Sequence, residues 1–144
     1  MLSRKPFISI CIPAYKRPEK NRRLLKSISI QDFKDYEIVL TYDSPDDSVH
    51  SLLSEFPGLP IVYYKNPVAL GTPANWNHGI SKASGEWIKI MHDDDWFADE
   101  NSLSVFASNT KSNKKFIVSR YMNVMDSGKI QRPAFPDRWK QKII

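Results

Sequence analysis

The chain has 144 residues and a mass of 16.7 kDa, which is the usual size of one domain. Its 41% hydrophobic and 26% charged residues are near globular averages, and 5 glycines with 10 prolines exclude a collagen-like chain. A single cysteine, Cys11, excludes a disulfide framework and a multi-cysteine zinc site. No apolar run approaches the length of a membrane span, so we expect a soluble cytoplasmic domain.

The charge is uneven along the chain. The net charge of +5 favours anionic partners such as nucleotide phosphates, nucleic acid or an anionic membrane face. Residues 1–35 carry nine basic side chains against three acidic ones, a pattern typical of a solvated helix face. Arg17 is the exception that we single out as a candidate phosphate contact. A nucleic-acid binder is disfavoured because the chain lacks a basic strand pattern interleaved with aromatic residues.

Predicted strands and helices alternate along the chain. Short apolar runs rich in β-branched residues predict buried strands at residues 7–12, 36–42, 59–64, 86–91 and 115–124. Helical spacing of apolar residues, with suitable caps and breakers, predicts helices at residues 18–30, 48–56, 74–83 and after Asp99. Such alternation is typical of βαβ units. We therefore expect an α/β fold with a mostly parallel β-sheet and helices on both faces.

Polar segments follow the first, second and fourth predicted strands. They are residues 13–17, residues 43–44 and residues 92–95. Ligands of parallel α/β sheets bind at the carboxyl edge of the strands. These three segments should therefore share one rim of the sheet.

The last of these segments contains three consecutive acids, Asp93, Asp94 and Asp95. Adjacent carboxylates repel one another unless a positive charge lies nearby, and Mg²⁺ or Mn²⁺ prefers carboxylate and phosphate oxygens. In an extended segment Asp94 would point away from the other two. A solvated acidic loop, in which Asp95 or Asp99 caps the following helix, is the alternative.

The other rim residues leave similar alternatives open. Asp43 can accept an N–H from a nucleobase or form a local Asp-Ser-Pro turn. Tyr15 can stack on a base or pack against the sheet. His78 is expected to be structural. His92, which adjoins the acids, can act as a metal ligand or contact the acid cluster from outside. No P-loop or G-x-G-x-x-G motif is present, and residues 13–18 lack the glycine-rich loop that a nucleotidyltransferase needs.

Four segments taken in order resemble a known family. They are FISICIPAYKRP, YEIVLTYDSPDD, the Asn-Pro, Leu-Gly and Asn-Trp-Asn-His-Gly-Ile elements of residues 66–80, and SGEWIKIMHDDD. Together they resemble the N-terminal half of a family 2 glycosyltransferase, over about residues 5–125. The resemblance implies a Rossmann-like GT-A nucleotide-diphospho-sugar-binding domain at residues 1–125. Residues 126–144 would then be a basic, proline-containing tail, where a missing acceptor-binding half begins.

The resemblance also implies a nucleotide-binding set. Pro13, Ala14 and Tyr15 would line the nucleobase and ribose, with Tyr15 stacking on the base. Arg17 would lie near the nucleotide. Asp43 would contact the base, as the second acid of the family's pair after strand two.

For the acid cluster, the resemblance implies the D-x-D motif of the family. Asp94 matches the acid that holds the metal, Asp93 would lie near the ribose or metal, and Asp95 matches an extra acid that often follows. Three departures are visible. Tyr42 and His92 stand where the family commonly has acids, and Trp76 replaces the Arg often found before the helix Asn.

The implied activity is metal-assisted, inverting transfer of a sugar from a nucleotide-diphosphate donor to an acceptor hydroxyl, as in a hexosyltransferase of polysaccharide biosynthesis. The implied cofactor is Mn²⁺ or Mg²⁺, and the implied partners are a UDP-sugar and a saccharide or lipid-linked acceptor, with no nucleic acid. The full-length enzyme would work in the cytoplasm, either free or in peripheral association with the inner face of the membrane. The catalytic base is expected beyond Ile144, which makes a non-catalytic nucleotide-sugar-binding fragment the alternative.

Overall fold

The computed structural model describes residues 4–110, 116–119 and 121–131. They fall in two compact units, within residues 1–111 and 112–144. The first unit alternates strands and helices in the order β1 (Ile8–Ala14), α1 (Pro18–Ser29), β2 (Tyr36–Tyr42), α2 (Ser48–Leu52), β3 (Ile61–Lys65), α3 (Ala74–Lys82), β4 (Trp87–Ile90) and α4 (Ser102–Asn109). A 3₁₀ turn, Leu53–Glu55, extends α2. The α/β class predicted from the sequence is confirmed.

In this first unit, four strands form a parallel sheet in the order β3-β2-β1-β4. Ile8 of β1 lies opposite Tyr36 of β2 on one side and Trp87 of β4 on the other, and all three pairings are parallel. The chain therefore crosses from one side of β1 to the other between β3 and β4. Such a switch leaves a crevice at the carboxyl ends of the strands, beside the end of β1.

One face of the sheet carries the apolar core. The alternating residues Ile8, Ile10 and Ile12 of β1 are almost completely buried, since side chains along a strand alternate between the two faces. They belong to one apolar cluster with Leu24 and Ile28 of α1. The remaining core members from the helices are Leu25, Val49, Leu52, Leu103 and Ala107. Helices α1, α2 and α4 therefore contribute to the core on this face.

The opposite face of the sheet receives α3, which contacts Cys11 of β1 and Thr41 of β2. An ideal Cβ on Gly79 would lie 3.3 Å from Thr41 Oγ1 and 3.9 Å from Cys11 Cβ, so the absence of a side chain lets the helix approach the sheet closely. Burial, followed by the charge of Glu37, raises the pKa of the Cys11 thiol to about 12, which keeps it protonated and unreactive. The prediction of helices on both faces is confirmed.

The buried face of α3 is not the one that the spacing of its apolar residues predicts. Trp76 and Ile80, which the helical spacing places on one face, are only half-buried, whereas Asn75 and Gly79 are buried. The reason is that α3 lies close to the sheet at Gly79 and is hydrogen-bonded to it through Asn75 and Thr41. Small and hydrogen-bonding residues therefore occupy the contact.

The second unit contains a short antiparallel pair, β5 (Asn123–Val124) and β6 (Ile130–Gln131). The turn predicted at residues 126–128 joins them, and Gly128 adopts a positive φ of 78° there. The predicted fifth strand at residues 115–124 is wrong in its described part, because residues 116–119 form no strand and only the last two residues do. Phe116 and Val118 are 80% and 67% exposed, so the alternation of apolar residues in this segment does not correspond to a buried strand face.

Two sequence-based expectations stay predictions. The division into a domain of residues 1–125 and a tail of residues 126–144 is one, since residues 132–144 lie outside the described part of the chain. Cytoplasmic location is the other. Among the described residues, no helix has both the length and the apolar character needed to span a bilayer.

Candidate functional site

The polar segments that follow β1, β2 and β4 meet at one rim of the sheet, as the topology predicts. The Asp43 N–H donates to Ala14 O (3.0 Å), which joins the ends of β2 and β1. The Tyr15 N–H donates to Asp93 Oδ2 (3.2 Å), which joins the end of β1 to the acids after β4. Pro13 is half-buried and lies opposite Thr41. Residues far apart in the chain therefore surround a common point.

Asp93 and Asp94, which we call the acid pair, share a cationic neighbour. Arg17 Nη1 lies 3.7 Å from Asp93 Oδ1 and 3.2 Å from Asp94 Oδ2, and Lys20 Nζ lies 3.9 Å from the same Asp94 oxygen. The expectation that Asp94 points away from Asp93 is wrong. The acids lie in a turn, closed by the Asp95 N–H donating to His92 O (3.1 Å), rather than in an extended segment.

Asp93 is the more buried member of the acid pair, with 8% of its surface exposed. Burial raises the pKa of its carboxyl, and the Tyr15 N–H and the Arg17 charge oppose that shift without cancelling it. A raised carboxyl pKa means that the ionised form is under-stabilised where it stands. An additional positive charge at the acid pair would therefore be favourable.

The acid pair fits a divalent cation that obtains its other ligands elsewhere. Within the described residues, no group of three His, Cys, Asp or Glu side chains could hold a metal ion by itself. Mg²⁺ characteristically binds through one or two protein carboxylates together with substrate phosphates and water. Asp93 Oδ1 and Asp94 Oδ2 both approach one Arg17 nitrogen, so both oxygens face a common point.

Asp95 is placed differently from the acid pair. Its side chain is exposed on the turn. Burial lowers the pKa of Lys89 in β4, and the negative charge of Asp95 offsets part of that shift. The electrostatic partner of Asp95 is therefore Lys89. The predicted metal role of Asp95 stays a prediction.

An unusual backbone turn positions Arg17. Lys16 and Arg17 have φ values of 56° and 55°, in the left-handed region that side chains other than those of Gly, Asn and Asp rarely occupy. Asn21, which is completely buried, donates its amide N–H groups to Lys16 O (3.2 Å) and Arg17 O (3.1 Å). Pro18 begins α1 immediately afterwards. The turn thus connects β1 to α1 within three residues and leaves Arg17 beside the acid pair.

Asp43 anchors a segment that we call the rim loop, residues 66–71. Its Oδ1 accepts hydrogen bonds from Asn66 Nδ2 (2.7 Å) and the Leu70 N–H (2.7 Å), and its Oδ2 accepts one from the Gly71 N–H (2.8 Å). Burial by itself would raise the pKa of this carboxyl, but the bonds from Leu70, Asn66 and Gly71 outweigh it and lower the pKa. Asp43 is only 5% exposed. It is therefore a stable anion at the rim.

A buried polar network supports Asp43, and the sequence analysis missed it. Asn66 Nδ2 also donates to Asn75 Oδ1 (2.9 Å), and Asn66 Oδ1 lies 2.7 Å from His78 Nδ1. Asn75 in turn donates to Thr41 O (3.2 Å). His78, expected to be structural, belongs to this network. The available signal was that Asn66 directly follows the third strand, at the same rim as Asp43.

Aromatic side chains complete the rim. Tyr15 is 49% exposed, with Lys16 Nζ 5.2 Å from its ring centroid. The guanidinium of Arg23 stacks at 3.6 Å on the Trp96 ring and donates to Asp94 O (3.4 Å), which holds the turn of the acid pair against α1. The predicted nucleotide-binding residues Pro13, Ala14, Tyr15, Arg17, Asp43 and Asp93 therefore lie at one rim, and their roles stay predictions.

Comparisons with known proteins agree with this architecture. The model of glycosyl transferase family 2 matches residues 9–143. The chain is 33% identical over 93 residues to GalNAc(5)-diNAcBac-PP-undecaprenol beta-1,3-glucosyltransferase of Campylobacter jejuni, an alignment that covers 62% of this chain and 30% of that protein. It is 34% identical over 103 residues to abequosyltransferase RfbV of Salmonella typhimurium, covering 68% and 31% of the two chains. The matched region thus spans about a third of either relative.

Solved structures show the same fold. S. aureus TarS 1-349, solved in complex with UDP, superposes with a TM-score of 0.63 at 25% identity over 71% of this chain and 31% of that one. Mannosyltransferase PcManGT from Pyrobaculum calidifontis, solved with GDP-Man and Mn²⁺, superposes with a TM-score of 0.68 at 19% identity over 77% and 34%. The fold is the Rossmann-like GT-A half that the sequence resembles. From its sequence match and its architecture together, the chain belongs to glycosyl transferase family 2.

Proposed function

We propose that the rim binds a nucleoside-diphosphate sugar, and that the chain is the donor-binding part of a metal-assisted, inverting glycosyltransferase. The observation that carries the proposal is the meeting of Tyr15, Asp43 and the acid pair at one rim of a parallel sheet. Such a crevice is the general ligand site of open α/β sheets. Its mixture of a half-exposed aromatic ring, buried carboxylates and nearby cations suits a nucleotide.

Each side chain has a distinct task in this proposal. Tyr15 offers a half-exposed ring on which the base stacks, next to Pro13 and Ala14. Asp43, an anion held by three hydrogen bonds from described residues, accepts an N–H from the base edge. Arg17 is 53% exposed and provides positive charge for the diphosphate.

The acid pair would hold Mn²⁺ or Mg²⁺, with Asp94 as the main ligand, Asp93 beside it, and Asp95 as the additional acid predicted from the sequence. A bound divalent cation supplies Lewis-acid stabilisation of the charge that develops on a leaving diphosphate. Arg17 lies against the same carboxylate oxygens, so its side chain must turn toward the phosphates when the site fills. Before the donor arrives, Arg17 and Lys20 offset part of the negative charge of the acid pair.

Ligands of the relatives support the choice of donor. TarS was solved with UDP, and the Pyrobaculum enzyme with GDP-Man and Mn²⁺. We propose a UDP-sugar as donor, with a GDP-sugar as the other arm of the test. The undecaprenol in the name of the Campylobacter relative supports a saccharide or lipid-linked acceptor, reached at the inner face of the membrane. No catalytic base is assigned among the described residues.

The second candidate is a binding module that holds a nucleotide sugar without transferring it. It is favoured by the rim itself, because Tyr15, Asp43 and the acid pair meet there and are enough for binding. Binding without transfer or donor hydrolysis would identify the module. Formation of a glycosylated product from a UDP-sugar or GDP-sugar would identify the transferase.

Calorimetry tests the donor site directly. We expect UDP to bind this chain more tightly with Mn²⁺ than with EDTA, and Asp94→Asn to weaken the Mn²⁺-dependent binding by more than about tenfold, the loss typical of a removed charge-assisted contact. Asp99→Asn is the matched control, since Asp99 is exposed and its hydrogen bonds to Gln31 and Ser102 use its backbone atoms. An Asp94→Asn chain with unchanged Mn²⁺-dependent affinity would contradict the assignment.

A further inference from the structure

Buried polar side chains behind Asp43 form a hydrogen-bonded network. Asp43, Asn66 and Asn75 are each 5% exposed, and together with His78 they form a continuous hydrogen-bonded set between the rim and α3. We propose that Asn66, held by His78, is a positioning residue for nucleobase recognition, because it fixes the Asp43 carboxylate and the rim loop toward the base. This inference rests on the proposed function.

The hydrogen bonds give the network one fixed polarity. Both N–H groups of the Asn66 amide are used, one on Asp43 Oδ1 and one on Asn75 Oδ1. Asn66 Oδ1 must therefore accept, so His78 donates from Nδ1. Turning the Asn66 amide over would set its oxygen against the Asp43 carboxylate, which is repulsive. Asp43 and Asn75 thus fix the direction of the Asn66 amide, and the His78 Nδ1–H holds its oxygen in place.

Asp43 keeps capacity for one further donor. An ionised carboxylate offers about four acceptor positions, and described residues fill three of them, two on Oδ1 and one on Oδ2. A base that presents an N–H on its edge can fill the remaining position. Asn66 therefore holds Oδ1 without competing for Oδ2, the oxygen with spare capacity.

The rim loop depends on the same anchor. Val68 and Leu70 are 73% and 46% exposed, so little burial of side chains holds this loop. Its backbone is fixed by the Leu70 and Gly71 N–H groups on Asp43 and by the Asn75 N–H on Gly71 O (2.9 Å). A displaced Asp43 carboxylate would therefore move the loop as well, and the base contacts would be lost together.

The test compares a whole nucleotide with a probe that has no base. We would measure Mn²⁺-dependent binding of UDP and GDP, keep the one that the wild-type chain binds more tightly, and measure inorganic pyrophosphate with Mn²⁺ in parallel. The variants are Asn66→Ala, His78→Leu and His78→Asn. An Asn side chain at position 78 can place an amide N–H near the position of the imidazole Nδ1. His50→Leu is the control, since exposed His50 contacts the Tyr63 ring, which packs against the core on the face of the sheet opposite α3.

We expect Asn66→Ala, which removes a buried hydrogen bond to a carboxylate, to weaken nucleotide binding by roughly tenfold or more. His78→Leu should have a similar effect, because it leaves the buried Asn66 Oδ1 without its donor. Pyrophosphate binding should stay as in wild type for both variants. His78→Asn should restore most of the nucleotide affinity, and His50→Leu should leave both ligands unchanged. Parallel losses for nucleotide and pyrophosphate, or unchanged nucleotide binding in both weakened variants, would overturn the inference. If Asn66→Ala does not fold, the two His78 variants still decide it. A wild-type chain that binds neither nucleotide overturns the proposed function and this inference with it.

Discussion

Replacing Asp43 by asparagine tests how strongly the rim loop depends on this carboxylate. The asparagine carbonyl can still accept from Asn66 and Leu70, as Oδ1 does now. Its amide group would then face the Gly71 N–H, which at present donates to Oδ2 at 2.8 Å. Two donors would meet where a donor and an acceptor now meet.

The size of the effect follows from those three bonds. An unsatisfied N–H costs about 1–3 kcal/mol, and a hydrogen bond to a neutral acceptor is worth about 1 kcal/mol less than one to a carboxylate. Gly71 is exposed, so water compensates for part of the first loss. We therefore expect Asp43→Asn to lower the free energy of unfolding by about 2–4 kcal/mol at neutral pH, a large share of the roughly 5–15 kcal/mol typical of a domain.

The pH dependence gives a second readout with a defined sign. The folded-state pKa of Asp43 is lowered, so its ionisation contributes stability that is present above the unfolded pKa of about 3.9. That contribution is lost as the pH falls through the lower folded-state pKa. The stability difference between wild type and Asp43→Asn should therefore shrink as the pH is reduced below about 4.

Urea unfolding followed by circular dichroism measures both effects. Asp47→Asn is the matched control, because Asp47 pairs with Lys65 at 2.5 Å but is 71% exposed, and such surface pairs contribute less than about 1 kcal/mol. Equal unfolding free energies for Asp43→Asn and Asp47→Asn at neutral pH would refute the reasoning. So would a difference between wild type and Asp43→Asn that stays constant as the pH falls well below about 4.

Two other substitutions test the packing and electrostatics of the same sheet. Asp93→Asn should leave the urea midpoint unchanged or raise it at neutral pH, and it should weaken Mn²⁺-dependent UDP binding. The folded-state pKa of Asp93 is raised, so the wild-type chain loses stability as the pH rises above the unfolded pKa of this carboxyl. A lowered midpoint would contradict the burial argument. Gly85→Ala should cost about 1–3 kcal/mol or more of unfolding free energy, since its Cβ would lie 2.7 Å from Ser9 N. Gly58→Ala, with nothing within 4 Å of its Cβ, is the control, and similar urea midpoints for the two alanine variants would show that the sheet adapts to the added methyl group.

The sequence predicts elements best where packing and local preference agree. The buried strand predicted at residues 36–42 matches β2 at both ends, and the predicted α1 is correct to within one residue because Pro18 and the Leu24, Leu25 spacing point the same way. The prediction of a fifth strand is wrong because apolar alternation signals burial only where another layer covers it, and Phe116 is 80% exposed.

The candidate site is predictable only in part. Topology alone brings Tyr15, Asp43 and Asp93 to one rim, and the structure agrees. The bonds of Asn66 are not predictable, because they join residues from three separate segments of the chain. The turn of the acid pair likewise depends on Arg17 and Arg23, whose partners no local pattern specifies.

The left-handed backbone at Lys16 and Arg17 has a consequence for redesign of this domain. Each such residue is disfavoured by roughly 1–2 kcal/mol, so glycine at either position would relieve that cost. Glycine at position 17 would also remove the guanidinium, and glycine at position 16 would loosen the backbone that positions it. Variant libraries ranked by melting temperature would therefore favour glycine at positions 16 and 17. Selection for the phosphate contact that we propose for Arg17 would instead retain the wild-type arginine.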